Sequence, residues 1–150
     1  DFFLAGEIDK GNPSSIDNNQ LVEIMNDENI NYLGNVEDLQ NKLVDYDIAV
    51  TTSYHEGFSR FLLESSYVGL YCLSNYLPGT EAVLKNKLNG KLIKDNNINE
   101  FIEEIIKFAD EDATDEDIIL RQRRFIEKEF SIEKVTKEFV GIYSKIEKDV

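Results

Sequence analysis

Ile48-Ala49-Val50-Thr51-Thr52-Ser53-Tyr54-His55-Glu56-Gly57-Phe58-Ser59-Arg60-Phe61-Leu62-Leu63-Glu64 changes its period midway. Residues 48–52 are short and apolar on both faces, the pattern of a parallel strand covered by helices. From Phe58 onward, Phe58, Phe61, Leu62, Ser65 and Val68 recur at helical spacing. The stretch therefore reads as strand, loop and helix, with the loop at the carboxyl end of the strand. Open α/β sheets bind their ligands at that end.

The same alternation extends in both directions. Residues 2–5, 30–33, 70–74 and 91–93 read as further short strands, and 15–26, 36–46 and 80–84 as helices beside the one at 58–68. Strands alternating with helices predict an α/β fold, a Rossmann-like doubly wound parallel sheet. After about residue 97 the pattern is helical only. Ile98, Phe101, Ile102, Ile105, Ile106 and Ala109 form one amphipathic stripe. Thr114-Asp115-Glu116-Asp117 reads as a cap with an acidic first turn. A last helix follows Ser131, with Ile132, Val135, Phe139, Ile142, Tyr143 and Ile146 on one side. Pro13 and Pro78 are expected in loops.

With 150 residues the chain is long enough for one domain with a real core. It opens Asp1-Phe2-Phe3-Leu4-Ala5-Gly6 without Met, in what reads as a buried strand, so a piece of a longer protein is expected. No apolar run reaches the ~20 residues of a membrane span. A net charge of -14 argues against nucleic acid and anionic lipid surfaces as general partners. Cys72, the single cysteine, reads as a reduced core thiol and fits the cytoplasm, with membrane association left to a full-length protein. One Cys and one His exclude a zinc site built from those ligands.

Chemistry concentrates in the loop and the helix after it. Gly57 permits a tight turn and close approach of a ligand. With a helix beginning near Phe58, the amides of Gly57, Phe58 and Ser59 point outward as donors suited to a diphosphate. Glu56 is itself negative, so it suits sugar hydroxyls or a ring that gains positive charge in a transition state. Glu64 lies about two turns along the helix, where a carboxylate could accept from the two hydroxyls of a ribose. The bland alternative is an i, i+4 ion pair with Arg60. His55 reads as a loop residue packing beside the site. Ser59 has no base partner for nucleophilic chemistry. No Asp-x-Asp pair stands in this loop or the helix after it, so no metal is expected.

The spacing Glu56-x7-Glu64 within Glu-Gly-Phe-Ser-Arg-Phe-Leu-Leu-Glu resembles the signature of family 4 glycosyltransferases, which have the GT-B fold. Further landmarks agree in order. Phe3-Leu4-Ala5-Gly6 resembles that family's first C-terminal-domain strand, and Ile30-Asn31-Tyr32-Leu33-Gly34-Asn35-Val36 its base-binding turn. Pro78-Gly79-Thr80-Glu81-Ala82-Val83 followed by Asn89-Gly90-Lys91-Leu92-Ile93 resembles the next two, and Gly11-Asn12-Pro13-Ser14-Ser15-Ile16 is similar to the capsule and lipid-linked-oligosaccharide branch.

The resemblance implies that residues 1–150 form the nucleotide-sugar-binding half of a retaining, two-domain GT-B enzyme with C-terminal helices. It implies that Glu56 orients the donor sugar as the catalytic residue, that Glu64 holds the ribose, and that Gly57, Phe58 and Ser59 receive the diphosphate. Gly34, Asn35 and Val36 would meet the base, with capping of a helix at Val36 as the other reading of Asn35. The implied partners are a nucleotide-sugar donor, most readily a UDP-sugar, and a saccharide or lipid-linked acceptor held by an N-terminal domain absent here. No cofactor is implied. The basic residues that relatives place before this domain's first strands are missing, and Arg60 is the nearest substitute. The apolar last helix is expected either to self-associate through residues 132–146 or to show raised mobility there when its covering domain is gone. A GT-B-like sugar-nucleotide epimerase and a non-catalytic nucleotide-binding module are the alternatives. A dehydrogenase is disfavoured, because Gly6-Glu7-Ile8-Asp9 stands where G-x-G-x-x-G would be needed.

Overall fold

The computed structural model describes residues 1–13, 15–85, 88, 90–110 and 116–146. Ser14 and Asn89 of the resemblance, and Thr114 and Asp115 of the expected cap, lie outside the described residues. The chain divides into two compact units, Asp1–Leu39 and Gln40–Val150.

The first unit contains β1 (Phe2–Ala5), α1 (Asn18–Met25) and β2 (Ile30–Gly34). The strands pair in parallel, Phe2 opposite Ile30, with an irregularity between Leu4 and Ala5. Helix α1 starts three residues later than its apolar pattern predicts because Asp17 caps it. The Asp17 carboxylate accepts from the Gln20 amide at 2.9 Å, and the Gln20 side chain accepts from the Asp17 amide at 2.9 Å. This reciprocal capping box fixes the entry of the helix. Strand β1 is expected to be buried, but Phe2, Phe3 and Leu4 are exposed. The reason is local: the unit's described sheet has two strands, and its one full helix buries none of its residues.

Helix α2 (Leu39–Leu43) is much shorter than the expected 36–46. Residues 35–38 form an irregular turn, so Asn35 and Val36 precede the helix and Asn35 does not cap it. At the other end, Asp45 and Tyr46 donate back three residues, to Lys42 and Leu43, which closes the helix in tight turns. Leu43 is buried.

In the second unit the order is β3 (Ile48–Thr51), α3 (Arg60–Val68), β4 (Tyr71–Asn75), α4 (Pro78–Val83), β5 (Gly90–Ile93), α5 (Ile98–Asp110), α6 (Glu116–Phe130) and α7 (Ile132–Ile146). The sheet order is β3-β4-β5, all parallel, with Ile48 opposite Tyr71 and Cys72 opposite Gly90. Neighbouring residues of a strand face opposite sides, and β4 uses both. Leu73 packs with Ile93 and Phe101, and Ile48, Tyr71 and Ile105 close around them. On the other side Cys72 meets α3, its sulfur 3.4 Å from the Ser66 hydroxyl. Burial pushes the Cys72 thiol up to about 12, so it is an inert core group. Ser65 and Ser66 are fully buried beside Leu62, and their small side chains bring the helix close to the sheet.

Gly69 ends α3 in the left-handed conformation, φ 105°. A Cβ there would stand 2.8 Å from the Ile119 side chain, so α6 crosses tightly at this point. Arg123 completes the junction by donating to the Tyr67 carbonyl at 2.9 Å. Two sequence expectations need correction in this unit. Pro78 is not in a loop but opens α4, where its missing N–H costs nothing. The α5 stripe is split: Phe101 is buried, but Ile98, Ile102 and Ile106 face solvent because the sheet meets only one side of the helix. No residue of α7 is buried, and its whole apolar side is exposed.

Candidate functional site

The expected site residues fall into two segments, one in each unit. In the second unit, β3 ends at Thr51 and the chain runs through residues 52–59 to α3. Three contacts hold this loop. The Thr51 and Ser53 hydroxyls lie 3.1 Å apart. The Asn75 side-chain amide donates to the Ser53 carbonyl at 3.1 Å, tying the loop to the end of β4. The third is close backbone packing: a Cβ at Gly79 would stand 2.3 Å from the Glu56 carbonyl oxygen and 2.5 Å from that of Gly57. Only a glycine at 79 lets the first turn of α4 support the loop from below. Thr80 stiffens that turn, its hydroxyl donating to the Asn75 carbonyl at 2.7 Å and accepting from the Leu77 amide at 3.0 Å.

Helix α3 begins at Arg60, two residues later than expected, because Ser59 is its N-cap. The buried Ser59 hydroxyl accepts from the Leu62 amide at 3.4 Å, and the Ser59 carbonyl accepts from the Leu63 amide. Serine is favoured here because its hydroxyl meets an amide that the helix leaves over. The first helical amides are thus those of Arg60 and Phe61, with Gly57 and Phe58 just outside. Phe58 does not join the apolar face assigned to it. Its ring is exposed and tilted against Phe130, 5.5 Å between centroids. Nothing lies within 4 Å of a Cβ built on Gly57, so the space in front of this backbone is open.

Glu56 is half-buried in the loop and His55 is exposed. Glu64 is largely buried, with 18% of its side chain exposed against 85% for Arg60, and the two pair at 3.3 Å. The bland ion pair therefore exists. With Arg60 so exposed, it contributes only a few tenths of a kcal/mol. The Arg60 charge is thus directed along the helix to Glu64. Among the described residues, no group of three or more His, Cys, Asp or Glu side chains is placed to hold a metal ion. No described helix is long and apolar enough to cross a membrane.

The second segment, Gly34-Asn35-Val36, leaves β2 in the first unit. Gly34 is left-handed, φ 64°, and its carbonyl accepts from the Gly6 amide at 2.8 Å. The Tyr32 hydroxyl donates to the Gly6 carbonyl at 2.8 Å. These bonds brace the turn and leave Asn35 exposed and Val36 half-buried. Sequence reasoning missed the buttress beneath Glu56. Asn75 carries no motif of its own, Gly79 stands in the Pro78–Val83 landmark without revealing what it packs against, and their contacts join segments about twenty residues apart.

Residues 9–125 match the family described as Glycosyl transferases group 1. Over 101 residues the chain is 32% identical to the Escherichia coli UDP-Gal:alpha-D-GlcNAc-diphosphoundecaprenol alpha-1,3-galactosyltransferase, covering 59% of this chain and 26% of that protein. Among solved structures, Alr3699/HepE of Anabaena in complex with UDP is similar with TM-score 0.74 and 17% identity, over 95% of this chain and 40% of that one. A glycosyltransferase from Rickettsia africae gives TM-score 0.76 and 21% identity, over 88% of this chain and 36% of that one. The chain thus spans about a quarter of the curated relative and somewhat over a third of these structures. The structural likeness gives it the Rossmann-like α/β fold of one half of a GT-B molecule.

Proposed function

Because the chain belongs to the glycosyl transferases of group 1, we propose that it is the donor-binding half of a retaining, two-domain glycosyltransferase that takes a UDP-sugar. The acceptor is a saccharide or lipid-linked saccharide of surface polysaccharide assembly, held by the other domain on the cytoplasmic side. Support for the donor comes from the Escherichia coli relative, named for UDP-Gal, and from the Anabaena protein solved with UDP. Support for the acceptor class comes from the relative's diphosphoundecaprenol substrate.

The observation that carries the reading is the open backbone at Gly57, ahead of a nine-residue helix and flanked by Glu56 and Glu64. Amides at a helix start favour a diphosphate electrostatically, so this site needs no metal, and turnover should persist in EDTA. Gly57, Phe58 and Ser59 would lie along the diphosphate. Glu56, braced by Gly79, would orient the reacting sugar. Glu64 would exchange its bond with Arg60 for the ribose hydroxyls. Gly34, Asn35 and Val36 would offer backbone groups to the base. Retention follows if the acceptor attacks from the face that UDP leaves.

Kinetics of the full-length enzyme test this division of labour. Glu64→Ala is expected to raise donor KM with little change in kcat, since ribose contacts are equal in ground and transition states. Glu56→Ala is expected to lower kcat. Small and equal effects from both would leave Glu64 as the partner of Arg60 and nothing more.

A further inference from the structure

Beside the Glu56–Glu64 segment, the second unit has a cavity of about 490 Å³ at the carboxyl ends of β3, β4 and β5. Its size is that of a small-molecule cleft, ~300–1,000 Å³. Tyr54 enters it from the loop after β3 and Tyr76 from the end of β4, and both rings are exposed. The Glu81 carboxylate nearby raises the Tyr76 phenol above its ordinary value. Asn75 forms part of the wall and is 3% exposed. Its Nδ2 is committed to the Ser53 carbonyl, while its Oδ1 is buried with no partner among the described residues. Such an acceptor is unusual, because buried polar atoms are nearly always satisfied.

Asp95 and Asn96 close the other side. Both are left-handed, φ 55° and 49°. Two consecutive non-glycine residues in that region are uncommon, and backbone held so tends to gather at ligand sites. The described lining holds two phenols, two carboxamides and one carboxylate, and neither Lys nor Arg. The Lys94 ammonium lies 5.9 Å from the centre of the Tyr76 ring. Asp95 repels phosphate, which disfavours a nucleotide. Aromatic faces instead suit the C–H faces of a sugar ring, and carboxylates and carboxamides suit its hydroxyls.

We propose that this cavity is a subsite for a neutral saccharide, separate from the segment that takes the nucleotide. Tyr54 and Tyr76 supply the stacking surface, and Asp95 and Asn96 accept from ring hydroxyls. The subsite shares a wall with the donor loop. Tyr54 lies two residues before Glu56, and Leu77 leads into the Pro78–Gly79 turn that supports Glu56 and Gly57. A sugar held here is therefore placed beside the reacting centre, where this domain would meet one residue of an acceptor or product otherwise held by the other domain. The proposal rests on the reading of the chain as a sugar-transfer domain.

The test is a pair of titrations of the isotopically labelled chain, one with UDP and one with methyl glycosides of glucose, galactose and N-acetylglucosamine, followed by amide chemical shifts. At least one glycoside is expected to shift the amides of Tyr54, Tyr76, Asp95 and Asn96 saturably. Tyr54→Ala, and Asp95→Gly, which keeps the left-handed backbone accessible, should each weaken it by about tenfold or more, or ~1.4 kcal/mol. Tyr54→Phe should bind as the parent does, and UDP affinity should be unchanged in all three. If no glycoside moves these amides, or if Tyr54→Ala and Asp95→Gly bind as the parent does, the subsite is overturned, and UDP binding in the same samples leaves the donor reading standing. A glycoside response without UDP binding would support the subsite and overturn the donor reading instead.

Discussion

Gly79→Ala probes the support beneath Glu56 with a single methyl group. The new Cβ would stand 2.3 Å from the Glu56 carbonyl oxygen and 2.5 Å from that of Gly57. Both neighbours are backbone atoms, so no side-chain rotation relieves the contact. The loop or the α4 turn must retreat by roughly 1 Å to reach normal separation. Overpacking of this kind costs about 1–3 kcal/mol, and replacing a helical glycine by alanine returns roughly 0.5–1 kcal/mol. A net loss of up to about 2.5 kcal/mol, centred on ~1 kcal/mol, is expected in urea unfolding. Gly141→Ala is the control: nothing lies within 4 Å of its Cβ in α7, so only the propensity gain of roughly 0.5–1 kcal/mol remains. Gly57→Ala has equally open space and should change stability by no more than about 0.5 kcal/mol. In calorimetric titrations Gly79→Ala, by moving the loop, and Gly57→Ala, by filling the space in front of it, should both weaken UDP binding by about tenfold. A Gly79→Ala chain as stable as its parent, with unchanged UDP affinity, would refute the buttress argument.

The acid limb of stability should depend on Glu104. Lys91 lies 2.7 Å from its carboxylate, and that hydrogen bond holds the Glu104 carboxyl below its ordinary value of 4.5. A carboxyl depressed by folding contributes stability at neutral pH that is lost as pH falls from its unfolded value through the folded one. Glu104→Gln is therefore expected to lower stability at pH 7 and to flatten its fall below about pH 4.5; parallel curves for parent and variant would contradict this. The exposed side of α7, with Phe139 and Ile142 at its middle, should make the chain self-associate. Phe139→Lys with Ile142→Lys should give a monomer by light scattering, and a parent already monomeric, with α7 amides as protected from exchange as those of β3, would end that expectation.

The five strands of the described residues were legible in the sequence because short runs apolar on both faces, alternating with helical spacing, have few other solutions. The Glu56-x7-Glu64 spacing was legible for the same local reason: strand end, glycine and helix start follow one another along the chain. Helix boundaries were read less well, because side-chain caps outrank apolar periodicity. Ser59 and Asp17 each set a helix start that the hydrophobic pattern put too early. Which apolar side chains are covered was legible at Cys72 but not along the helix stripes. The i, i+4 series of Ile98, Ile102 and Ile106 looks like a core face, and only packing reveals that the sheet meets the Phe101 side. The support of Glu56 by Gly79 and the cavity between Tyr54, Tyr76 and Asp95 likewise belong to the tertiary structure. A sequence records which residues can turn, cap or alternate, since those are local energies. Contacts between segments twenty or more residues apart arise only when the sheet order brings strand ends together.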